Sequence, residues 1–176
     1  MNTPGLLERA RAVRLLVLDV DGVMTDGSLW FGPEGEQVKR FDVRDGQGIR
    51  LLIEAGIQVA IVSGRSAAAV ERRAESLGIT RVVQGAGDKL AVCRELAAAA
   101  GLGLDGLGAV GDDLPDLPVL RRVAFAATVP AAPELLRRHA HYVTAAPGGG
   151  GAVRELAELL LTAQGRLEAA LGRFLA

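Results

Sequence analysis

Short, mostly apolar runs alternate with longer stretches of helical periodicity along most of the chain. The apolar runs lie at residues 15–18, 57–62, 81–84, 107–110, 123–127 and 141–144. Continuous Leu, Val, Ile and Ala runs of this kind suit strands of a parallel sheet, which is buried on both faces. The helical stretches cover residues 3–12, 66–77, 89–100 and 152–164, with further helices before Gly56 and before Arg138. The alternation predicts one doubly wound, Rossmann-like α/β domain with right-handed crossovers, spanning residues 1–176.

One segment departs from the alternation. Residues 28–31 and 37–41 are short strand candidates on either side of a turn-rich centre, so we expect a projecting β-hairpin over about residues 27–41. Its apolar side chains are Leu29, Trp30, Phe31, Val38 and Phe41. One domain rarely covers both faces of such a hairpin, and we therefore expect part of this surface to meet another subunit. Ordinary packing on its own domain is the alternative.

Composition narrows the classes of protein to consider. Hydrophobic residues make up 49% of the 176 residues, which is ample for a core, although aromatic residues make up only 3%. The formal net charge is −1 without a long charged run, which argues against a nucleic-acid surface or a polybasic membrane anchor. The single cysteine, Cys93, lies in a helical pattern and is expected to be a buried core residue. With no signal-like or membrane-length apolar run, we expect a cytoplasmic location.

Carboxylates follow two of the predicted strands. The run at 15–18 leads directly into Asp19, Asp21 and Gly22, and the run at 107–110 is followed by a second group of acids. In open parallel sheets, ligands bind at the carboxyl ends of the strands. Acids crowded at that edge repel one another unless a cation or a shared proton separates them, so we expect a metal site or an acid/base pair. A solvated turn is one alternative, and a calcium loop is another that fits poorly because Trp30 stands where Glu is needed.

Other candidate residues stand at the remaining strand ends. Ser63 follows the second run, where a hydroxyl and the N–H of Gly64 could bind a phosphate oxygen. Lys89 opens a helix, where the macrodipole disfavours a cation, which makes a functional role more plausible. Asp45 is a candidate N-cap of a helix whose start could bind an anion. Both His139 and His141 lack a metal-ligand pattern and are expected to be structural or surface residues, while the glycines at 148–151 suit either a hinge or a close approach to the site.

These motifs together resemble those of the haloacid-dehalogenase superfamily of phosphatases. The four superfamily motifs match residues 19–22, Ser63, Lys89 and residues 111–113. A closer resemblance, to capless phosphatases of sugar-acid phosphates, is carried by residues 25–27, 41–50, 142–144, 148–155 and 163–168. The similarity covers nearly the whole chain. Two departures are Ser63, where threonine is common, and an apolar end at residues 171–176 within the tail of about 165–176.

The resemblance implies a Mg²⁺-dependent phosphatase that works through an aspartyl-phosphate. The expected substrate is 3-deoxy-D-manno-octulosonate 8-phosphate, a precursor in lipopolysaccharide synthesis. The resemblance also implies metal binding by the carboxylates of Asp19 and Asp112 and by the backbone carbonyl of Asp21. Asp19 is the expected nucleophile and Asp21 the expected general acid and base, while Ser63 and Lys89 would hold phosphoryl oxygens. Further acids are expected to orient this machinery, namely Asp113 and Asp116.

The resemblance also implies substrate contacts and an assembly. The expected substrate-binding residues are Asp21, Asp42, Val43, Arg44, Asp45, Gly46, Arg50, Ser63, Gly64, Arg65, Arg73 and Lys89. No stretch between the motifs is long enough for a cap domain, and similar capless phosphatases are tetramers whose neighbouring subunits cover the site. We therefore expect a homotetramer in which the hairpin and the tail serve as the lid. A phosphatase of a nonulosonate 9-phosphate is the nearer alternative; a catalytically silent interaction subunit is disfavoured, since neither nucleophile nor lysine is lost.

Overall fold

Six parallel strands form the central sheet of the computed structural model. The structure describes residues 5–33 and 35–175 and, within these ranges, all side chains except those of residues 36 and 37. The strands of the whole fold are β1 Leu15–Leu18, β2 Trp30–Gly32, β3 Gly35–Val38, β4 Gln58–Val62, β5 Arg81–Val83, β6 Leu107–Val110, β7 Phe125–Thr128 and β8 Tyr142–Val143. The order across the central sheet is β5-β4-β1-β6-β7-β8, with every pair of neighbours parallel. The predicted doubly wound sheet is therefore confirmed.

Helices cover both faces of this sheet. They are α1 Leu6–Ala12, α2 Val43–Glu54, α3 Ala68–Leu77, α4 Lys89–Ala99, α5 Leu117–Leu120, α6 Glu134–His139, α7 Ala152–Ala163 and α8 Leu167–Gly172, with 3₁₀ turns at Leu104–Gly106 and Leu114–Asp116. Among the described residues, no helix is both long and apolar enough to cross a membrane.

Strand β1 lies at the centre of the sheet, and all four of its residues are buried. Leu16 and Leu18 belong to one apolar cluster, whereas Leu15 and Val17 belong to another. This split follows from the two-residue repeat of a strand, which sends successive side chains to opposite faces. Both faces of β1 are covered, which explains why its sequence is continuously apolar rather than alternating.

The direction of winding reverses at β1. From β1 the chain adds β4 and then β5 on one side, and afterwards adds β6, β7 and β8 on the other. The crevice beyond the carboxyl ends of β1, β4 and β6 is thus the topological switch point, where open α/β sheets bind their ligands. The fold places the strand-end acids of the sequence at this edge.

The start of α2 corrects one sequence prediction. Asp42, not Asp45, is the N-cap of this helix, because its carboxylate accepts the backbone N–H of Arg44 at 2.6 Å. The helix consequently begins at Val43, and Asp45 lies within its first turn. At the other end of the chain, α8 lies within the predicted tail, where the sequence pattern did not specify a helix.

The predicted hairpin is present as a separate two-stranded antiparallel sheet of β2 and β3. Trp30, Phe31 and Val38 are exposed, at 62%, 65% and 60% of their surface. Phe41 behaves differently, since it is partly buried against the core of its own domain. One part of the apolar surface of the hairpin segment therefore packs on its own domain, and another part is exposed to solvent. The turn residue at position 34 lies outside the described residues.

Candidate active site

Three carboxylates and one ammonium group meet at the carboxyl edge of the sheet. Asp19, Asp112 and Asp116 each offer an oxygen, and these oxygens lie within 4.8 Å of one another. Lys89 Nζ lies 2.9 Å from Asp19 Oδ1 and 2.7 Å from Asp116 Oδ1. We call these four residues the charge cluster. The sequence prediction that strands β1 and β6 deliver their acids to one place is confirmed.

Lys89 is held where the sequence alone made it look misplaced. It is the first residue of α4 and only 7% exposed, and the helix start is capped by Asp88, which accepts the N–H of Ala91 at 3.0 Å. Burial opposes the charged form of Lys89, but Asp19 and Asp116 outweigh that effect and leave its pKa raised. Lys89 is therefore a buried cation held in place by two carboxylates.

Asp116 shapes the loop that carries Asp112. Besides its bond to Lys89, it accepts the backbone N–H groups of Asp112 at 3.1 Å and Asp113 at 3.3 Å. The preceding Gly111 has no room for a side chain, because a Cβ there would lie 2.2 Å from Asp116 Cβ. Both oxygens of Asp116 are thus engaged, which fits the orienting place predicted for it.

Two carboxylates of the charge cluster, Asp19 and Asp112, have raised pKa values. Burial raises the pKa of Asp19 to about 6, with Asp116 adding to the effect and Lys89 opposing it. Burial also raises the pKa of Asp112 to about 7, with the charge of Asp19 as the next cause. Crowded acids of this kind favour either a proton or a cation among them.

The donor set of the site fits a hard divalent cation. Carboxylate oxygens are the preferred ligands of Mg²⁺, and Asp112 is only partly buried, which leaves access for water. Gly22 has φ +88°, and a Cβ there would lie 2.0 Å from Asp112 Oδ2. Only glycine therefore allows the turn after β1 to pass so close to Asp112. A strand, β1, precedes this turn where a calcium loop of the EF-hand type would follow a helix, which is a second feature that does not fit such a loop.

Asp21 lies between two cations. Lys39 Nζ is 2.5 Å from Asp21 Oδ1, and Arg65 Nε is 3.9 Å from Asp21 Oδ2. Lys39 follows β3 directly, and its side chain is only 2% exposed. Sequence reasoning missed Lys39, because a lysine at the end of a hairpin gives the same signal as a solvated surface lysine.

Strand β4 delivers Ser63 and Arg65 to the same edge. Ser63 is buried, and its Oγ accepts the N–H of Arg65 at 3.2 Å. The guanidinium of Arg65 lies 6.0 Å from the ring centre of Phe31, so it also touches the hairpin. Gly64 between them is exposed. The geometry brings Ser63 to the edge at which the charge cluster lies, as predicted from its position directly after an apolar run.

The glycine-rich loop approaches the first motif closely. Gly149 N–H donates to Val23 O at 2.9 Å, and a Cβ on Gly148 would lie 1.8 Å from Gly22 O. Of the two interpretations left open by the sequence, close approach to the site is the one the geometry supports.

A single glutamate holds the chain leading into that loop. Glu155 on α7 accepts the hydroxyl of Tyr142 at 2.7 Å, the N–H of Ala145 at 2.9 Å and the N–H of Ala146 at 2.8 Å. We call these four residues the loop anchor. Burial, followed by the hydrogen bond to Glu155, raises the pKa of Tyr142 to about 12.

Asp45 performs a structural task that its sequence position did not suggest. Its buried carboxylate accepts the N–H groups of Gly151 at 3.3 Å and Arg154 at 2.9 Å, and so caps the start of α7 rather than that of α2. Burial raises the pKa of Asp45, and the N–H groups of Arg154 and Gly151 oppose that shift. A contact between Asp45 and substrate stays a prediction.

The remaining predicted substrate residues surround the start of α2. Arg44 pairs with Asp42 at 2.8 Å and donates to Gly150 O at 2.9 Å, and hydrogen bonding from Arg44 lowers the pKa of Asp42 to about 2. Arg73 donates to Asp42 O at 3.1 Å, and its Nε is buried without a hydrogen-bond partner. Arg50 donates instead to Ser76 O at 2.8 Å.

Gly46 and Val43 are the last two of the predicted substrate-binding residues near the start of α2. Gly46 lets Arg73 cross α2, since a Cβ there would lie 2.3 Å from the guanidinium, and Val43 is exposed. Arg44 of this group contacts the glycine-rich loop, which in turn approaches the first motif, and the substrate contacts of the group stay predictions.

His141 and Cys93 have potentially reactive side chains, but both have structural roles. His141 Nδ1 accepts the N–H of Ala126 at 2.9 Å, in line with the structural role expected of it. Cys93 is buried in α4, and burial raises the pKa of its thiol to about 11, which keeps it protonated.

Known proteins resemble the chain over almost its whole length. It is 48% identical over 167 residues to the 3-deoxy-D-manno-octulosonate 8-phosphate phosphatase of Yersinia pestis, covering 95% of this chain and 89% of that protein. A crystal structure described as that of a probable YrbI-family phosphatase from Pseudomonas syringae matches with TM-score 0.96 and 50% identity over 99% of both chains. No protein-family model matches the chain.

A further solved structure contains ligands. The 3-deoxy-D-manno-octulosonate 8-phosphate phosphatase of Moraxella catarrhalis, in complex with a magnesium ion, a phosphate ion and a KDO molecule, matches with TM-score 0.95 and 40% identity. The match covers 98% of this chain and 99% of that one.

Proposed function

The chain belongs to the family of 3-deoxy-D-manno-octulosonate 8-phosphate phosphatases, and we propose that it hydrolyses this phosphate to the free sugar acid and inorganic phosphate with Mg²⁺ as cofactor. The observation that carries the proposal is the charge cluster, in which a buried lysine lies 2.9 Å from the carboxylate that ends the central strand. Phosphate monoesters are anionic and hydrolyse very slowly unaided, so a catalyst must first neutralise charge between nucleophile and phosphoryl group. The cluster supplies a nucleophile and a cation within contact distance.

Asp19, Asp112 and the backbone carbonyl of Asp21 would hold the Mg²⁺ ion. Asp116 is better suited to orienting the loop, since each of its oxygens already accepts a hydrogen bond. The bound ion would offset the negative charge of phosphate and carboxylates in the site.

In the first step, Asp19 attacks phosphorus. Its pKa of about 6 leaves it largely ionised at neutral pH, as a nucleophile requires. A bond forms between an Asp19 oxygen and phosphorus while the bond from phosphorus to the sugar oxygen breaks, and Asp21 gives its proton to the departing alkoxide. Lys89 and Ser63 bind the phosphoryl oxygens, with Lys89 supplying positive charge where charge develops.

In the second step, water releases the enzyme. Asp21, now without its proton, takes a proton from the attacking water, whose oxygen bonds to phosphorus as the bond to Asp19 breaks. The products are inorganic phosphate and free Asp19. One slow displacement is thus split into two assisted ones.

The proposed substrate contacts extend from the cluster to the start of α2. Arg65 lies at the mouth of the site beside Asp21, and Arg44 and Arg73 lie near the glycine-rich loop. Guanidinium groups suit the carboxylate of a sugar acid because they can bind both of its oxygens at once. Selection of a sugar acid over a neutral sugar phosphate would follow from these arginines.

We further propose a homotetramer in the cytoplasm, where phosphorylated sugar precursors are made. The support is the exposure of Trp30, Phe31 and Val38 on a domain without a cap, an apolar surface that a neighbouring subunit could bury. The change Phe31→Glu should give smaller species in light scattering together with lower activity. Leu135→Glu, which alters an exposed leucine on α6, is the matched control and should leave both unchanged. A fully active wild-type monomer would contradict the assembly.

Side-by-side kinetics test the substrate. Phosphate release is measured from 3-deoxy-D-manno-octulosonate 8-phosphate and from a nonulosonate 9-phosphate, each with Mg²⁺ and with excess chelator. The proposal expects a clear preference in kcat/KM for the eight-carbon substrate and no turnover in chelator. Preference for the nine-carbon substrate would assign the chain to the alternative reaction, and full activity in chelator would overturn the metal assignment.

A further inference from the structure

Lys39 is buried at a place where lysines are usually solvated. It follows β3 directly, at the end of the hairpin, yet its side chain is only 2% exposed and its ammonium lies 2.5 Å from Asp21 Oδ1. Removing a charged ammonium from water is costly unless a partner of opposite charge compensates. The ion pair with Asp21 therefore compensates for the burial of Lys39 and joins the end of the hairpin to the turn after β1.

The next residue shows the ordinary behaviour of a hairpin cation. The side chain of Arg40 is 70% exposed, and its contact with Asp26 is longer, at 3.6 Å, with Asp26 also well exposed. Exposed pairs of this kind contribute little to stability. Two adjacent cations thus differ sharply: Arg40 faces water, whereas Lys39 is directed at the residue proposed to move protons.

A second contact brings the hairpin to Asp21 from the other side. Arg65 Nε is 3.9 Å from Asp21 Oδ2, and the guanidinium of Arg65 lies 6.0 Å from the ring centre of Phe31 on β2. Lys39 therefore lies near one oxygen of the Asp21 carboxylate and Arg65 near the other. The Lys39 contact is the close one and restricts rotation of the Asp21 carboxylate about its side-chain bonds, whereas the longer approach of the partly exposed Arg65 adds little.

We propose that Lys39 is a positioning residue that fixes the Asp21 carboxyl group for proton transfer to the sugar oxygen, an inference that rests on the acid and base role assigned to Asp21 under the proposed function. The hairpin then has a task within its own chain, besides any contact with a neighbour. Proton transfer requires the donor to lie within hydrogen-bond reach of the leaving oxygen, and small misplacements cost large factors in rate. The sugar alkoxide is a poor leaving group, so it depends on that proton.

The test compares two leaving groups in the full-length protein with Mg²⁺. The change Lys39→Met keeps the length of the side chain and removes its charge. For the sugar-acid phosphate, kcat/KM should fall about 10- to 100-fold, a part of the roughly 10²- to 10⁴-fold that acid–base catalysis contributes. For p-nitrophenyl phosphate it should change less than about threefold, because nitrophenolate leaves without a proton and kcat/KM covers only the steps through phosphoryl transfer to Asp19. Equal losses for both substrates would mean a merely structural role and would overturn the inference.

A double-mutant cycle separates positioning from direct substrate binding. In an Asp21→Asn background, Lys39→Met should cause no further loss in kcat/KM for the sugar-acid phosphate, because the two residues act as a unit. A loss that persists in that background would show that Lys39 contacts the substrate itself, which contradicts the proposed role.

Failure of the inference and failure of the proposed function give different results. If Asp21→Asn lowers sugar-acid phosphate turnover while Lys39→Met does not, only the inference fails. If Asp21→Asn retains the full wild-type rate, the assigned chemistry fails and the inference falls with it.

Two further variants complete the experiment. Arg40→Met is the matched control, since it removes the neighbouring charge without touching Asp21, and it should leave both substrates unaffected. If Lys39→Met does not fold, Lys39→Gln, which keeps a donor but loses the charge, is measured in the same way and should show the same dependence on leaving group.

Discussion

The charge cluster and the loop anchor place carboxylates at the same end of the fold, but they use them in opposite ways. Glu155 in the loop anchor accepts hydrogen bonds from one hydroxyl and two backbone N–H groups, all of them neutral donors in its own chain. In the charge cluster, burial raises the pKa of Asp19 to about 6 and that of Asp112 to about 7. The anchor is complete within the chain, whereas the cluster has charge that a bound ligand would balance.

This difference predicts opposite responses to mutation. Neutralising an acid of the charge cluster should remove activity while relieving repulsion in the metal-free protein. Truncating the loop anchor should leave three donors without their acceptor, two of them in partly buried hydrogen bonds, and so cost stability.

The largest effect is expected from Asp19→Asn. Turnover should fall by about 10⁴-fold or more, because an amide is a poor nucleophile and a weaker metal ligand. The fold should remain, since the substitution keeps the shape of the side chain. Steady-state phosphate release and circular dichroism measure the two quantities. Residual activity within tenfold of wild type would place the nucleophile elsewhere.

A loss of stability is expected from Glu155→Ala. The hydroxyl of Tyr142 and the N–H groups of Ala145 and Ala146 would lose their acceptor, at a cost of about 2 kcal/mol in the free energy of unfolding. Tyr142→Phe removes one of these bonds and should cost about 1 kcal/mol. Urea unfolding measures both changes. Equal stability of Glu155→Ala and wild type would show that the loop does not depend on this anchor.

The smallest effect concerns the pH dependence of stability without metal. Because the pKa of Asp112 is raised from 3.8 to about 7 on folding, the folded state binds more protons than the unfolded state between these values. Stability therefore falls as pH rises through this window. Asp112→Asn should make this slope shallower, since Asp19 still contributes to it below about pH 6. The variant should be about 1 kcal/mol more stable than wild type at pH 8 without metal, after allowing for screening of a partly exposed group, with no gain below about pH 4.

Denaturation in chelator across this pH range measures that slope. Asp105→Asn, at an exposed site on the turn before β6, removes the same formal charge and serves as the control with an unchanged slope. A steeper slope in Asp112→Asn than in wild type would contradict the assignment of repulsion to this carboxylate.

Much of the site could be predicted because strand ends in a parallel sheet converge. Continuous apolar runs located β1, β4 and β6, and the residues after each run had to meet at one edge. This convergence brought Asp19, Ser63 and Asp112 to one edge without any knowledge of long-range contacts. Lys89 was recognisable for another reason, namely that a cation in the first turn of a helix is unfavourable unless something holds it.

The parts that could not be predicted depend on contacts between distant residues. Asp45 looked like a local helix cap, but its carboxylate reaches the N–H groups that start α7, more than 100 positions later in the chain. Lys39 looked like a solvated hairpin lysine until the fold buried it beside Asp21. The residue type and spacing around Asp45 are the same for a local and a long-range helix cap, and those around Lys39 are the same for a solvated and a buried lysine. Only the tertiary arrangement distinguishes these possibilities.

The most direct test of the charge cluster as catalytic centre is a crystal structure of the protein with Mg²⁺ and beryllium fluoride, which mimics a phosphoryl group on a carboxylate. We expect the mimic to be bonded to an Asp19 oxygen, with Lys89 and Ser63 contacting its fluorines. A mimic bonded to Asp112 instead would contradict the assignment of Asp19 as the nucleophile.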